Sequence, residues 1–95
     1  MENKLMPILK IPSPLRPYAD GQSSITAPGE KVSEVLEFTM EQYPLLKKHL
    51  LSDDQQLRPF VNVFLGDENI KELQGIETPL KEDDTLMIIP SIAGG

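Results

Sequence analysis

The sequence predicts an α+β domain, a mixed sheet with one main helix packed on one face. Three observations predict it. Two short apolar runs, residues 6–11 and 24–27, flank a proline-rich stretch near the start. One amphipathic helical pattern follows, over residues 32–43. The second half then returns to strand signals at residues 60–65, 68–71 and 85–89. A hairpin, a helix and further strands form a single sheet that buries one face against the helix.

The elements follow in order. Residues 6–11 read as the first strand, with Pro7 tolerated near its start. Pro12, Pro14 and Pro17 break any regular continuation, and Asp20-Gly21 signals a turn. Residues 24–27 form a short second strand, ended by Pro28-Gly29, so the hairpin carries a long, proline-stiffened loop. Val32, Val35, Leu36, Thr39, Met40 and Tyr43 recur at i, i+3, i+4 and i+7 and line one helix face. Glu34, Glu37, Glu41 and Gln42 mostly face the other way. Lys31 occupies the expected N-cap position, where Ser, Thr or Asp is favoured, so no cap residue fixes the helix start. Pro44 stops the helix from running on undisturbed, and residues 45–51 fit a further short helical turn.

Residues 52–56 are a polar loop. Phe60-Val61-Asn62-Val63-Phe64-Leu65 is the strongest strand signal, rich in β-branched and aromatic residues. Gly66-Asp67 turns the chain, and residues 68–71 pair back weakly. Residues 75–84 form a loop that holds Pro79 and the charged turn Lys81-Glu82-Asp83-Asp84. The last strand, residues 85–89, alternates: Leu86 and Ile88 face the helix, while Met87 and Ile89 face outward. Exposed apolar residues beside a chain end suggest a docking patch.

Ninety-five residues suit one domain, here residues 1–95 with residues 90–95 as a flexible C-terminal tail. A chain of this size buries roughly 60 to 65% of its unfolded surface, enough for a core without staples. It has no cysteine, so it holds neither a disulfide framework nor a cysteine metal site. The formal net charge is −6, with acidic residues spread along the chain, which argues against nucleic acid as a partner. No apolar run approaches the roughly 20 residues of a membrane span, and no signal peptide is visible. A cytoplasmic protein without a membrane partner is expected.

Enzyme motifs are missing. The only histidine, His49, reads as a surface residue near a helix end, where positive charge suits the dipole. Ser23-Ser24 has no histidine at motif spacing. Asp53-Asp54 and Glu82-Asp83-Asp84 lack the spacing and glycine of a calcium loop and read as solvated turns. No glycine-rich phosphate loop is present. Neither a metal nor a bound cofactor is expected.

The informative feature is the end of the chain, Gly94-Gly95, a few residues after the last strand. With no side chains it can enter a narrow channel, and it tolerates backbone angles closed to other residues. That is the geometry wanted when the reactive group is the C-terminal carboxyl itself.

Phe60-Val61-Asn62-Val63, the acidic turn before the last strand, and Ile89-Pro90-Ser91-Ile92-Ala93-Gly94-Gly95 together carry a resemblance. The chain resembles the ubiquitin-like sulfur carriers of the MoaD/ThiS superfamily, over nearly its whole length from about residue 6. Within that superfamily it looks most like the CysO-type carriers of cysteine synthesis. Ile11-Pro12-Ser13-Pro14-Leu15-Arg16-Pro17 and Gly21-Gln22 in the hairpin add to this likeness, as do Pro90 and Ala93-Gly94-Gly95. The resemblance implies the β-grasp, or ubiquitin-like, roll, with the first and last strands side by side in the sheet centre. It implies a carrier, not an enzyme. Gly95, preceded by Gly94, is then adenylated by an E1-like enzyme that uses ATP, and a sulfur donor converts it to a thiocarboxylate. Phe64, Met87, Ile89, Pro90, Ile92 and Ala93 become the partner-binding residues, and a pyridoxal-phosphate cysteine synthase becomes the expected sulfur acceptor. Three alternatives stay open: a sulfur carrier for molybdopterin (the small subunit of its synthase) or for thiamine, a protein modifier forming isopeptide bonds through Gly95, and a domain used only for binding.

Overall fold

The computed structural model describes residues 6–54, 56–59 and 61–90. Its element order is β1 (Ile8–Lys10), β2 (Ser24–Thr26), α1 (Val32–Gln42), α2 (Pro44–Leu50), β3 (Val61–Leu65), β4 (Glu68–Asn69) and β5 (Thr85–Pro90). Three 3-10 segments, Ser13–Ala19, Ile70–Glu72 and Gly75–Glu77, join them. The five strands form one mixed sheet in the order β2-β1-β5-β3-β4. β5 is central, parallel to β1 and antiparallel to β3. The first and last strands are thus neighbours, as the β-grasp pattern requires.

The alternation along β5 divides the sheet. Leu86 and Ile88 are buried against the helical side, with Leu9, Ile25, Val61 and Val63 from the other strands. Helix α1 closes this layer with Val32, Val35, Leu36 and Met40, and α2 adds Leu46 and Leu50. Thr39 is buried among them because its hydroxyl donates to the Val35 carbonyl at 2.9 Å, which satisfies the polar group inside the helix. Met87 and Ile89 lie on the opposite face and are exposed.

Three local expectations are corrected. The 13–19 stretch is not an open loop but a seven-residue 3-10 segment with Pro14 in its first turn, and its Leu15 and Ala19 are buried in the core. It packs on α2, where Tyr18 stacks on His49 with ring centroids 4.0 Å apart. Proline fixes φ near the helical value, so three prolines favour a tight helical turn as readily as they prevent a long helix. The return after Gly66 is shorter than expected: β4 covers two residues and the chain then coils at Ile70–Glu72. Asn69 ends the strand by accepting the Lys71 N–H on its own side chain at 2.9 Å. Finally, β5 runs to Pro90, which pairs with Val61, so Pro90 belongs to the sheet and not to the tail.

The missing helix cap has a tertiary answer. Lys31 is extended and makes no side-chain cap bond. Its neighbour Val32 instead donates its N–H to the Thr78 carbonyl at 3.1 Å, while the Leu80 N–H donates to the Glu30 carbonyl at 2.9 Å. The extended segment 78–80, bridged to Lys31 through Pro79, therefore satisfies the first N–H of the helix, which no local side chain serves. Glu34 adds a bond of its own, accepting the Glu30 N–H at 2.8 Å, and its charge suits the positive helix end.

Candidate functional site

The outer face of the sheet is built by cross-strand register. Lys10 of β1 sits opposite Met87 of β5, and Met87 sits opposite Phe64 of β3. Ile89 faces Asn62 in the same way. These five side chains therefore share one side of three adjacent strands, since alternate residues project to the same face. Met87 is 39% exposed and Ile89 40%, and Phe64 is half-buried beside them. Ile8, further along the same face, is also exposed. A contiguous apolar strip of this kind, edged by polar groups, is the pattern of a docking surface rather than of a folded interior.

The polar edge is ordered. Asn69 donates its side-chain amide to the Asn62 side-chain oxygen at 3.1 Å, across β3 and β4. Each asparagine alone is an ordinary polar residue in the sequence; only the strand register brings the two together.

At the end of β5 the strip opens into a groove of about 580 Å³, between the strand and the first hairpin. Pro12, Pro14 and Arg16 form one wall, and Met87, Ile89 and Pro90 the other, with Lys10 between them. Arg16 is held in place by its Nε, which donates to the Ile11 carbonyl at 3.0 Å. Of the residues expected to bind partners, Met87, Ile89 and Pro90 line this groove, while Phe64 lies opposite Met87 on the sheet and does not line it. Ile92, Ala93, Gly94 and Gly95 lie outside the described residues. The sequence alone assigns Lys10 and Arg16 no role at a site, yet both border the groove; the hairpin motif Ile11 to Pro17 is the one signal that points there.

The remaining chemistry is sparse. Among the described residues no three His, Asp or Glu side chains converge as metal ligands. Asp53, Asp54, Glu82 and Asp83 are exposed, consistent with solvated turns. Asp84 accepts the Lys81 N–H at 2.7 Å and closes its own turn. His49 is exposed and lies in the last turn of α2. The Lys31 ammonium, 2.8 Å from Glu77, is held above its ordinary pKa by that hydrogen bond and by attraction to the Glu77 carboxylate. No helix of the described residues is long and apolar enough to cross a membrane.

The fold is shared with known proteins. The sulfur carrier protein CysO of Mycobacterium tuberculosis H37Rv is 32% identical over 89 residues, covering 92% of this chain and 96% of that protein. The crystal structure of the Amycolatopsis orientalis BexX/CysO complex contains a chain of 32% identity that matches with TM-score 0.85, covering 94% of this chain and 99% of that one. The solution structure of small archaeal modifier protein 1 from Methanosarcina acetivorans matches with TM-score 0.86 and 30% identity, covering 99% and 100%. The architecture is therefore the β-grasp roll, and these similar proteins are named as sulfur carriers and as a small modifier protein. Residues 9–95 match the ThiS family from β1 through the final glycine, and the chain belongs to that family.

Proposed function

We propose that this chain is a sulfur carrier that works through a thiocarboxylate at Gly95, most directly for cysteine synthesis. The observation that carries the reading is the span of the family match, which includes Gly94 and Gly95, beyond a central strand that ends at Pro90 beside exposed Met87 and Ile89. Activation joins the Gly95 carboxylate to the α-phosphorus of ATP and releases pyrophosphate. The acyl adenylate is electrophilic at carbon, so a sulfur donor displaces AMP and leaves –COSH. That acid is ionised at neutral pH and is nucleophilic without a nearby base, since ionised sulfur is the reactive form. The body is recognised through Phe64, Met87, Ile89 and Pro90, and Ile92, Ala93 and Gly94 carry the terminus into the partner's site.

The partners on this reading are an E1-like enzyme that uses ATP, a sulfur donor, and a pyridoxal-phosphate synthase that presents an aminoacrylate to the sulfur. The use of ATP fits a cytoplasmic setting. The known complex of a CysO with BexX supports an action through protein partners. A modifier is the second reading, favoured by the likeness to a small archaeal modifier protein.

One experiment separates these. The chain is co-expressed with its activating enzyme and a sulfur source, and its intact mass is read. The carrier reading expects replacement of one oxygen by sulfur at Gly95, and loss of that change on deletion of Gly94-Gly95. Incubation with a pyridoxal-phosphate synthase and an activated serine then yields cysteine attached at Gly95. Conjugates on lysines of other proteins would establish the modifier instead, and transfer to a pterin precursor the molybdopterin branch.

A further inference from the structure

We propose that the groove at the end of β5 is a binding site for an anionic peptide end, and that its occupant is this chain's own C-terminal segment, residues 91–95. The sequence has 15 acidic and 9 basic residues, yet Lys10 and Arg16 border the groove and no acidic side chain among the described residues lines it. The groove is thus a local reversal of the molecule's charge, and it suits a carboxylate.

Arg16 is prepared for that role. It is half-buried, and its bond to the Ile11 carbonyl fixes the guanidinium while engaging one of five N–H donors. Among the described residues the one ion pair is Lys31–Glu77, so neither Arg16 nor Lys10 is matched with a carboxylate there. The planar fork of an arginine binds a carboxylate through two parallel bonds.

Position and composition select the occupant. Pro90, the last residue of β5 before that segment, is itself part of the groove wall. Five further residues reach at most about 18 Å, which keeps the chain end within range of the groove that Pro90 and Arg16 both border. The segment Ser91-Ile92-Ala93-Gly94-Gly95 has one large apolar side chain, matched by the apolar walls of Pro12, Pro14 and Met87. Its two glycines let the terminal carboxylate approach closely. The volume lies within the roughly 300 to 1,000 Å³ of sites that hold small organic ligands.

The consequence rests on the proposed carrier function in naming Gly95 as the reactive end. A docked terminus covers Met87 and Ile89, so the tail and an activating partner compete for one surface. The groove is open to solvent, and screening keeps such a contact weak and readily released.

The test uses the full unmodified chain without partners. Deleting residues 91–95 is expected to shift the backbone amide resonances of Arg16, Ser23 and Ser24, and to leave those of α1 in place. Lys10→Gln and Arg16→Gln are each expected to reproduce part of that shift in the full chain. Each is also expected to speed removal of Gly95 by carboxypeptidase about threefold to tenfold, tenfold corresponding to about 1.4 kcal/mol. Arg16→Gln also breaks the bond to Ile11, so Lys10→Gln, at an exposed position, carries the result if Arg16→Gln unfolds. Unmoved groove resonances on deletion, or equal cleavage rates, would overturn the proposal. Shifts that grow with protein concentration would overturn it too, by assigning the groove to the tail of a second copy. No sulfur or partner enters this assay, so its failure leaves the carrier reading standing, and a chain that docks its tail but never gains sulfur refutes only the carrier.

Discussion

The two faces of β5 differ sharply, although they belong to the same six residues. Leu86 and Ile88 are at most 1% exposed, while Met87 and Ile89 are 39% and 40% exposed. All four are apolar, so hydrophobicity alone does not assign them. The difference lies in what covers each face: α1 and α2 on one side, and on the other only the open groove bordered by Pro12, Pro14 and Arg16. The inner face holds the fold together. The outer face leaves apolar surface in water next to Pro90, and on the proposed function a partner buries it.

Breaking the inner face should have the largest effect. Leu86→Ala is expected to destabilise the domain by about 2 to 5 kcal/mol, since a fully buried leucine in a central strand leaves a cavity that the sheet fills poorly. Val35→Ala, on the facing side of α1, should cost somewhat less. Urea unfolding reads both, and unchanged midpoints would mean that the faces are wrongly assigned.

The helix start gives the next effect. A Cβ at Gly29 would lie 2.9 Å from the Val35 backbone nitrogen and 2.9 Å from its Cγ2. Backbone cannot yield as a flexible side chain can, so Gly29→Ala is expected to destabilise by about 1 to 3 kcal/mol. A variant as stable as the parent would show that α1 shifts freely against the segment before it.

The outer face should answer differently. Met87→Asp is expected to change stability by less than about 0.5 kcal/mol, as surface substitutions usually do. It should nonetheless weaken docking to the activating enzyme by more than about 1 kcal/mol, because a charge would be desolvated at the contact. Titration calorimetry beside an unfolding curve sharpens the comparison. A variant that unfolds but binds, or binds unchanged, would remove the division of labour between the faces.

The smallest effect belongs to Lys31 and Glu77, an exposed pair beside the start of α1. Lys31→Met should barely move the unfolding midpoint at neutral pH. Because Glu77 raises the ammonium's pKa in the folded state, whatever this pair contributes is fully present below the unfolded value of about 10.5. It is lost as pH rises through the higher folded value. A parent and variant whose difference grows with alkaline pH would reverse that sign.

Much of this is legible in the chain. The helix face Val32, Val35, Leu36, Thr39 and Met40 is the buried face of α1, and Glu34, Glu37 and Glu41 are exposed. The alternation of β5 is the one its residues predict, because period 2 is a local property of an extended chain. The short helix after Pro44 is visible too, since proline at the first turn starts a helix while ending the previous one. The 13–19 segment is not legible in the same way, because the burial of Leu15 and Ala19 depends on α2, which lies far along the chain. Pro90 looks like tail because a proline at a strand end is ambiguous until its neighbour is known. Here that neighbour is Val61 of β3.

The same distinction applies to the site. The terminal glycines and the outward residues Met87 and Ile89 come from composition and alternation, both carried by short stretches of sequence. The strand and helix periods, the charge balance, the lack of cysteine and the two final glycines are properties of the linear chain. Tertiary structure decided which strands lie together, and with them the pairs Lys10–Met87–Phe64 and Ile89–Asn62, the helix cap accepted by Thr78, and the groove between Arg16 and Pro90. The physical reason is range: periodicity is fixed by bonds between near neighbours, whereas register, capping across loops and the walls of a groove exist only once distant segments have packed.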